Sequence, residues 1–181
     1  MVYLFLAQGF EESEAILPLD ILRRAEIPVK TVGVGGKLIT GGHGITVTAD
    51  VTDSEVEEGP DVECVILPGG NIGTLNLSKS RKVADFVDYA LRNGRLVAAI
   101  CAAPTVLGDN GYLAGRSATC YPGLEKRLKG ANYVELPVVS DRNIITGWGP
   151  GASMEFGFEI LEYLRGREVA KKVGDSMLCV L

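Results

Sequence analysis

Three unbroken apolar runs constrain the fold of this chain more than any other feature: residues 2–7 (VYLFLA), Cys64–Leu67 (CVIL) and Leu96–Ile100 (LVAAI). A strand with one wet face alternates apolar and polar side chains. A strand that is apolar at every position is covered on both faces, the condition of a parallel sheet between helices. Each run stops in turn residues: Gln8–Gly9–Phe10, Pro68–Gly69–Gly70, and Cys101 to Pro104. Residues 12–25 read as a helix with Ile16, Leu19 and Leu22 on one face and Pro18 as a kink or a late start. Residues 29–34 form a strand closed by Gly35–Gly36. Residues 79–92 form a helix with Val83, Phe86, Val87 and Ala90 inward, ended by Asn93–Gly94. This alternation predicts an α/β fold built on a doubly wound, mostly parallel sheet sandwiched between helices.

The remaining segments carry weaker signals. Residues 37–50 are glycine-rich, with residues 45–48 as a half-exposed strand. Residues 117–119 read as a short strand and 124–129 as a short helix. Residues 138–140 and 143–146 flank a turn at Asp141–Arg142 and form a small β-hairpin. Ser153 caps a helix running to Leu164, with Gly166 beyond its end. No repeat or linker divides the 181 residues, which predicts one domain over 1–181.

Composition excludes several classes of function. The net charge is −5, and the one basic cluster, residues 79–82, is short. Nucleic acid and membrane surfaces are therefore not expected partners. The apolar N-terminus is too short for a signal peptide and lacks a basic flank, so a cytoplasmic location is expected. Cys64, Cys101, Cys120 and Cys179 show neither CxxC pairing nor zinc-like spacing, which predicts free thiols and no metal. The first loop holds one glycine, so a dinucleotide fingerprint is missing, as is a Walker motif, and no cofactor is expected. His43 is the sole histidine and thus the one possible imidazole partner.

Ligands of such sheets bind beyond the carboxyl ends of the strands. Cys101 stands there, between small neighbours that suit a sharp strand-to-helix turn, with Pro104 fitting the first turn of the next helix. A helix N-terminus would stabilise its thiolate and lower its pKa. Equally, a free cysteine can be a small buried hydrophobe. The N–H groups of Gly69, Gly70 and Ala102 form a candidate oxyanion site, and a plain turn would use the same glycines. Glu11, Glu12 and Glu14 crowd the first helix start, where acidic residues are stabilising without any function. Glu14 lies just inside the helix and is the one placed to meet Cys101, as a hydrogen-bond donor or a general base. Tyr121 and His43 are further candidates, against the ordinary alternatives of a packed aromatic and a solvated loop histidine.

The segments Gly9-FEESEAILPLDILRRA, Asp61-VECVILPGGN, Leu96-VAAICAAPTVL, Ala118-TCYPG and Gly149-PGASMEF resemble, in order, the DJ-one/ThiJ/PfpI superfamily, most closely its DJ-one branch. The resemblance implies a flavodoxin-like sandwich and a homodimer. It gives Cys101 the nucleophile position and Glu14 that of the carboxyl bonded to it, with Gly70 and Ala102 as the adjacent amides. It makes His43 a residue that reaches the partner subunit's site, and Tyr121 and Pro150 contacts for substrate or interface. The implied activity is a glyoxalase III or deglycase acting on methylglyoxal, glyoxal or glycated proteins and nucleotides without glutathione. The alternative is a stress sensor or chaperone whose cysteine is oxidised to sulfinate. Some relatives carry a histidine where this chain has Tyr121, and no H-x-E stands in the sequence, so amidotransferase and protease chemistry are not expected.

Overall fold

The computed structural model describes residues 1–179. The expected domain range also takes in Val180 and Leu181, which lie outside the described residues. The chain begins with β1 (Val2–Leu6), α1 (Glu12–Arg24), β2 (Val29–Gly33), β3 (Leu38–Thr40), β4 (Thr46–Thr48) and β5 (Val51–Thr52). β6 (Cys64–Leu67), α2 (Asn71–Lys79), α3 (Arg81–Arg92), β7 (Leu96–Ile100) and α4 (Pro104–Asp109) follow. The rest comprises β8 (Ser117–Ala118), β9 (Asn132–Tyr133), β10 (Val138–Asp141), β11 (Ile144–Gly147), α5 (Ser153–Arg165) and α6 (Arg167–Ser176). Seven strands form the main sheet in the order β10-β11-β7-β6-β1-β2-β5. All neighbours are parallel except β10 and β11, the hairpin expected around Asp141–Arg142. A second antiparallel hairpin, β3 and β4, carries His43 in its connection.

The three apolar runs occupy adjacent central strands, with Val2 opposite Cys64 and Cys64 opposite Leu96. Successive side chains on a strand point to opposite faces, so an all-apolar strand feeds two cores. Leu4, Leu6, Ile66, Ala98 and Ile100 meet Ile21 and Leu22 of α1 and Phe156, Ile160 and Leu161 of α5. Tyr3, Phe5, Val65, Leu67, Val97 and Ala99 meet Leu77, Phe86, Val87 and Leu107 on the other side. Each fully buried Val, Leu, Ile or Phe side chain among these contributes about 1.5–3 kcal/mol.

Several expected elements differ in detail. α1 buries Ala15, Pro18, Ile21 and Leu22, while Ile16 is 41% exposed. Pro18 lies inside a continuous α1 and backs onto Gly157 of α5, where a Cβ would stand 2.7 Å from Ile21 Cδ1 and 3.0 Å from Pro18 Cα. The close approach of α1 to α5 turns the helix so that position 18 faces inward and position 16 outward. The helix expected over 79–92 begins at Arg81, because Lys79 ends α2, a helix the sequence reading omits. Ser80 separates the two, and its hydroxyl accepts the Val83 N–H at 3.3 Å. Removing that cap in Ser80→Ala should lower unfolding free energy by about 1 kcal/mol, read from urea midpoints.

Residues 124–129 hold only a 3₁₀ turn, Glu125–Arg127, not a helix. Ser153 is the first residue of α5 and does not cap it: its hydroxyl donates to the Pro150 carbonyl at 2.7 Å, tying the helix to the preceding 3₁₀ turn. α6 follows Gly166 directly and was not foreseen. Among the described residues no helix is long and apolar enough to cross a membrane.

Candidate active site

Cys101 follows β7 with a φ of +65°, in the left-handed region that a side chain seldom adopts. Such a conformation costs about 1–3 kcal/mol and persists where its surroundings fix it. Here the Cys101 N–H donates to the Gly147 carbonyl at 2.8 Å, and the Cys101 carbonyl accepts the Tyr121 N–H at 2.8 Å. The backbone is thus pinned between the end of β11 and the segment bearing Tyr121. The residue is 9% exposed, at the floor of the sheet edge.

Glu14, in the first turn of α1, is fully buried. Its Oε2 accepts the Gly69 N–H at 2.8 Å, while its Oε1 has no hydrogen-bond partner of regular geometry. The Cys101 thiol is the side chain that shifts its protonation most. Gly69 is the spacer between the two groups. A Cβ there would stand 2.7 Å from both Cys101 Cβ and Glu14 Oε2. Because the Gly69 N–H is given to Glu14, it is not the oxyanion donor expected from the sequence. The N–H groups facing the Cys101 sulfur belong to Gly70 and Ala102, both expected. Gly70 sits at φ +88°, and a Cβ there would overlap the Gly9 carbonyl, so glycine is required.

The electrostatics reverse one expectation. Burial pushes Glu14 up to about 7; the Cys101 thiol and the Gly69 N–H offset part of this, and the Glu11 charge adds to it. Burial, and then the Glu14 charge, push the Cys101 thiol up to about 12, against the pull of the Gly70 and Ala102 amides. The depressed thiol pKa expected from the helix N-terminus is therefore corrected. α4 has only six residues, and the adjacent carboxylate and the lost hydration outweigh it. Above neutral pH an ionised Glu14 faces a protonated thiol, the arrangement of a general base and a nucleophile held in reserve.

The other candidates are divided by the structure. Tyr121 is joined to Cys101 through its backbone, and its half-exposed ring stands beside Gly149. Pro150 opens the 3₁₀ turn after Gly149. His43 is turned to Glu11 and Glu12: its Nδ1 lies 3.0 Å from a Glu12 oxygen and 3.4 Å from a Glu11 oxygen. Its N–H donates to Glu12 Oε1 at 2.8 Å. The Glu12 hydrogen bond and the two carboxylate charges raise the His43 pKa. The donor atoms of Glu11, Glu12 and His43 lie within 4.8 Å of one another, a spacing a metal ion could use. The hydrogen bonds already described account for that clustering without an ion. Sequence reasoning missed the role of Gly69 as spacer and the positive φ at Cys101; the run of small residues 98, 99, 102 and 103 around the cysteine was the one available signal.

Residues 1–163 match the sequence profile of the DJ-1/PfpI family. Protein dj-1beta of Drosophila melanogaster is 38% identical over 176 residues, 96% of this chain and 94% of its own length. Its crystal structure superimposes with a TM-score of 0.94 at 36% identity, covering 99% of this chain and 98% of that one. The structure of oxidized Toxoplasma gondii DJ-1 also gives a TM-score of 0.94, at 31% identity with the same coverage. A relative described as glutathione-independent glyoxalase DJ-1, from Schizosaccharomyces pombe, is 30% identical over 186 residues and 97% of both chains. With the Cys101 turn, the buried Glu14 and the sheet order in place, these matches show that the chain belongs to the DJ-1/PfpI family.

Proposed function

We propose that this protein is a cysteine-dependent glyoxalase that isomerises and hydrates methylglyoxal or glyoxal to the hydroxy acid without glutathione, with early glycation adducts of the same aldehydes as further substrates. The observation that carries this reading is the buried Glu14 carboxyl facing the Cys101 thiol across Gly69. A glyoxalase of the same family, with full-length similarity, supports it.

The residues suffice for the chemistry. Glu14 takes the thiol proton as Sγ bonds to the aldehyde carbon C1, and returns it to the C1 oxygen to leave a hemithioacetal. The Gly70 and Ala102 N–H groups stabilise the negative charge as it passes from sulfur to oxygen. Glu14 then removes the C1 hydrogen as a proton and the electron pair moves toward C2 to give an enediolate; a proton is delivered to C2 while the C1 hydroxyl proton passes to the C2 oxygen, which gives the thioester of lactate. C1 is oxidised and C2 reduced within one molecule, so no external electron carrier is required. Water cleaves the thioester to lactate and restores the thiol. Peptide hydrolysis would need an acid for the leaving amine, and the imidazole of His43 is engaged with Glu12 and Glu11 instead.

The reading includes the cytoplasmic homodimer implied by the family resemblance. Ile16, one turn beyond Glu12 in α1, and Ile45, whose N–H donates to Glu12, are both exposed, which supports a second copy covering them.

A second reading, peroxide sensing through Cys101 sulfinate, is favoured by the same two N–H groups, which suit sulfinate oxygens, and by the relative whose structure is of an oxidized form. One experiment separates the readings. Incubation with methylglyoxal in D₂O should give lactate carrying deuterium at C2, with a transient lactoyl adduct on Cys101 by mass spectrometry. Absence of lactate, together with a two-oxygen gain at Cys101 under mild peroxide, would replace the first reading with the second.

A further inference from the structure

Cys101 is held in a closed ring of hydrogen bonds. β11 ends in Thr146 and Gly147, paired with Ala99 and Ile100 of β7. The Gly147 carbonyl accepts the Cys101 N–H at 2.8 Å, and the Cys101 carbonyl accepts the Tyr121 N–H at 2.8 Å. Two residues before Tyr121, the Thr119 N–H donates to the Thr146 hydroxyl at 2.9 Å. That bond returns the chain to β11 and closes the ring. The Thr146 hydroxyl offers its own proton to the Val139 carbonyl of β10 at 3.4 Å, which leaves its lone pairs to Thr119. Thr119, Cys120 and Thr146 have no exposed surface, so bulk water is not at hand to replace the Thr146 oxygen.

The segment before Thr119 is tethered elsewhere, the Ser117 N–H to Asp141 at 2.7 Å and Ala118 to β9. Thr146 therefore fixes the last step from these anchors to Tyr121, and through Tyr121 the peptide of Cys101. A side chain at φ +65° stays there only while its surroundings over-determine it. Without the Thr146 oxygen one side of the ring opens, and the turn is free to relax away from Glu14 and from the Gly70 and Ala102 amides. We propose that Thr146 is a positioning residue: acting through the Tyr121 segment, its hydroxyl holds Cys101 at positive φ and keeps the sulfur facing Glu14. This deepens the glyoxalase reading and rests on it for turnover, while the hold on the thiol is read separately.

Thr146→Val keeps the side-chain shape and removes the acceptor, whereas Thr146→Ser keeps the hydroxyl. In Thr146→Val, kcat for methylglyoxal should fall by about tenfold or more with KM changed far less, because the reacting groups lose alignment rather than binding surface. Cys101 should at the same time be alkylated by iodoacetamide at pH 8 about tenfold faster, since a thiol that leaves its buried place and the Glu14 charge regains ordinary acidity. In that step the sulfur–carbon bond forms as iodide leaves, and the thiol proton goes to solvent. Thr146→Ser should return both values toward wild type. Thr146→Ala also lacks the acceptor, should behave as Thr146→Val does, and serves if the valine variant fails to fold. Ser80→Ala, which loses a helix cap outside the ring, should change neither value. All rates are taken per folded molecule, measured by circular dichroism. Wild-type alkylation in the variants lacking the acceptor would overturn the proposal, whatever happens to their stability. Faster alkylation at undiminished kcat would overturn it too, since the alignment of Cys101 would then not govern the reaction. Wild type that forms no lactate would reject the glyoxalase reading, and the alkylation rates alone would then decide whether Thr146 holds Cys101.

Discussion

Glu14→Gln is expected to lower methylglyoxal turnover by about a thousandfold and, at pH 8, to make the protein more stable. The first effect follows from general acid–base catalysis, whose loss removes about 10²–10⁴ in rate. A glutamine keeps the acceptor for the Gly69 N–H but cannot carry protons between Sγ, C1 and C2. The second effect follows from linkage. Glu14 is fully buried, and its pKa rises from an ordinary 4.5 to about 7, so the folded state binds its proton more tightly than the unfolded state does. Its contribution to stability is fully present below pH 4.5 and is lost as the pH rises to about 7. A rise from 4.5 to about 7 corresponds to about 3 kcal/mol. Wild type and variant should therefore diverge by about that amount between pH 4.5 and pH 8, with the variant the more stable at the upper end. Thermal melts at the two pH values check this.

Cys101 reports a third consequence of the same substitution. The Glu14 charge and its hydrogen bond both hold the thiol up, so Glu14→Gln should make it more acidic. Its alkylation by iodoacetamide at pH 8 should then speed up while turnover collapses. A purely structural Glu14 would lower stability, reactivity and turnover together, and that outcome would remove its assignment as the proton carrier.

The parts of this molecule that were legible in sequence are those where one physical demand dominates. Residues 2–7, 64–67 and 96–100 could be read because strands buried on both faces admit only apolar side chains, and they became adjacent strands of one parallel sheet. The position of Cys101 at a strand end followed from the same runs. α2 was not legible: Asn71–Lys79 buries Gly73, Thr74 and Leu77, a face with one large apolar residue, and starts from a glycine at φ +88° without a side-chain cap. The register of α1 was misread because the Pro18–Gly157 approach sets which face points inward, and that contact joins residues far apart in the chain. The thiol pKa was misread for a related reason. A helix N-terminus is visible locally, whereas the burial and the facing carboxylate that outweigh it exist only in the assembled fold.

Gly69→Ala should lower unfolding free energy by about 3 kcal/mol and abolish turnover. The added Cβ would stand 2.7 Å from Cys101 Cβ, 2.7 Å from Glu14 Oε2 and 2.8 Å from the Ile100 carbonyl oxygen. Of these only Glu14 Oε2 ends a flexible side chain, and it is held by the Gly69 N–H at 2.8 Å. Ile100 lies in the central strand β7, Cys101 is held at both its N–H and its carbonyl, and Glu14 is anchored on Gly69 itself. The strain does not come from backbone conformation, since Gly69 is not among the glycines at positive φ. It comes from volume in the gap through which Glu14 and Cys101 meet, so stability and catalysis should fail together, unlike their opposite response to Glu14→Gln. Gly36→Ala is the control, because a Cβ there meets nothing within 4 Å, and it should change stability by less than about 0.5 kcal/mol. Urea midpoints and lactate production measured on both variants check this, and a Gly69→Ala protein as stable and active as Gly36→Ala would show that the carboxyl and the thiol do not depend on this gap.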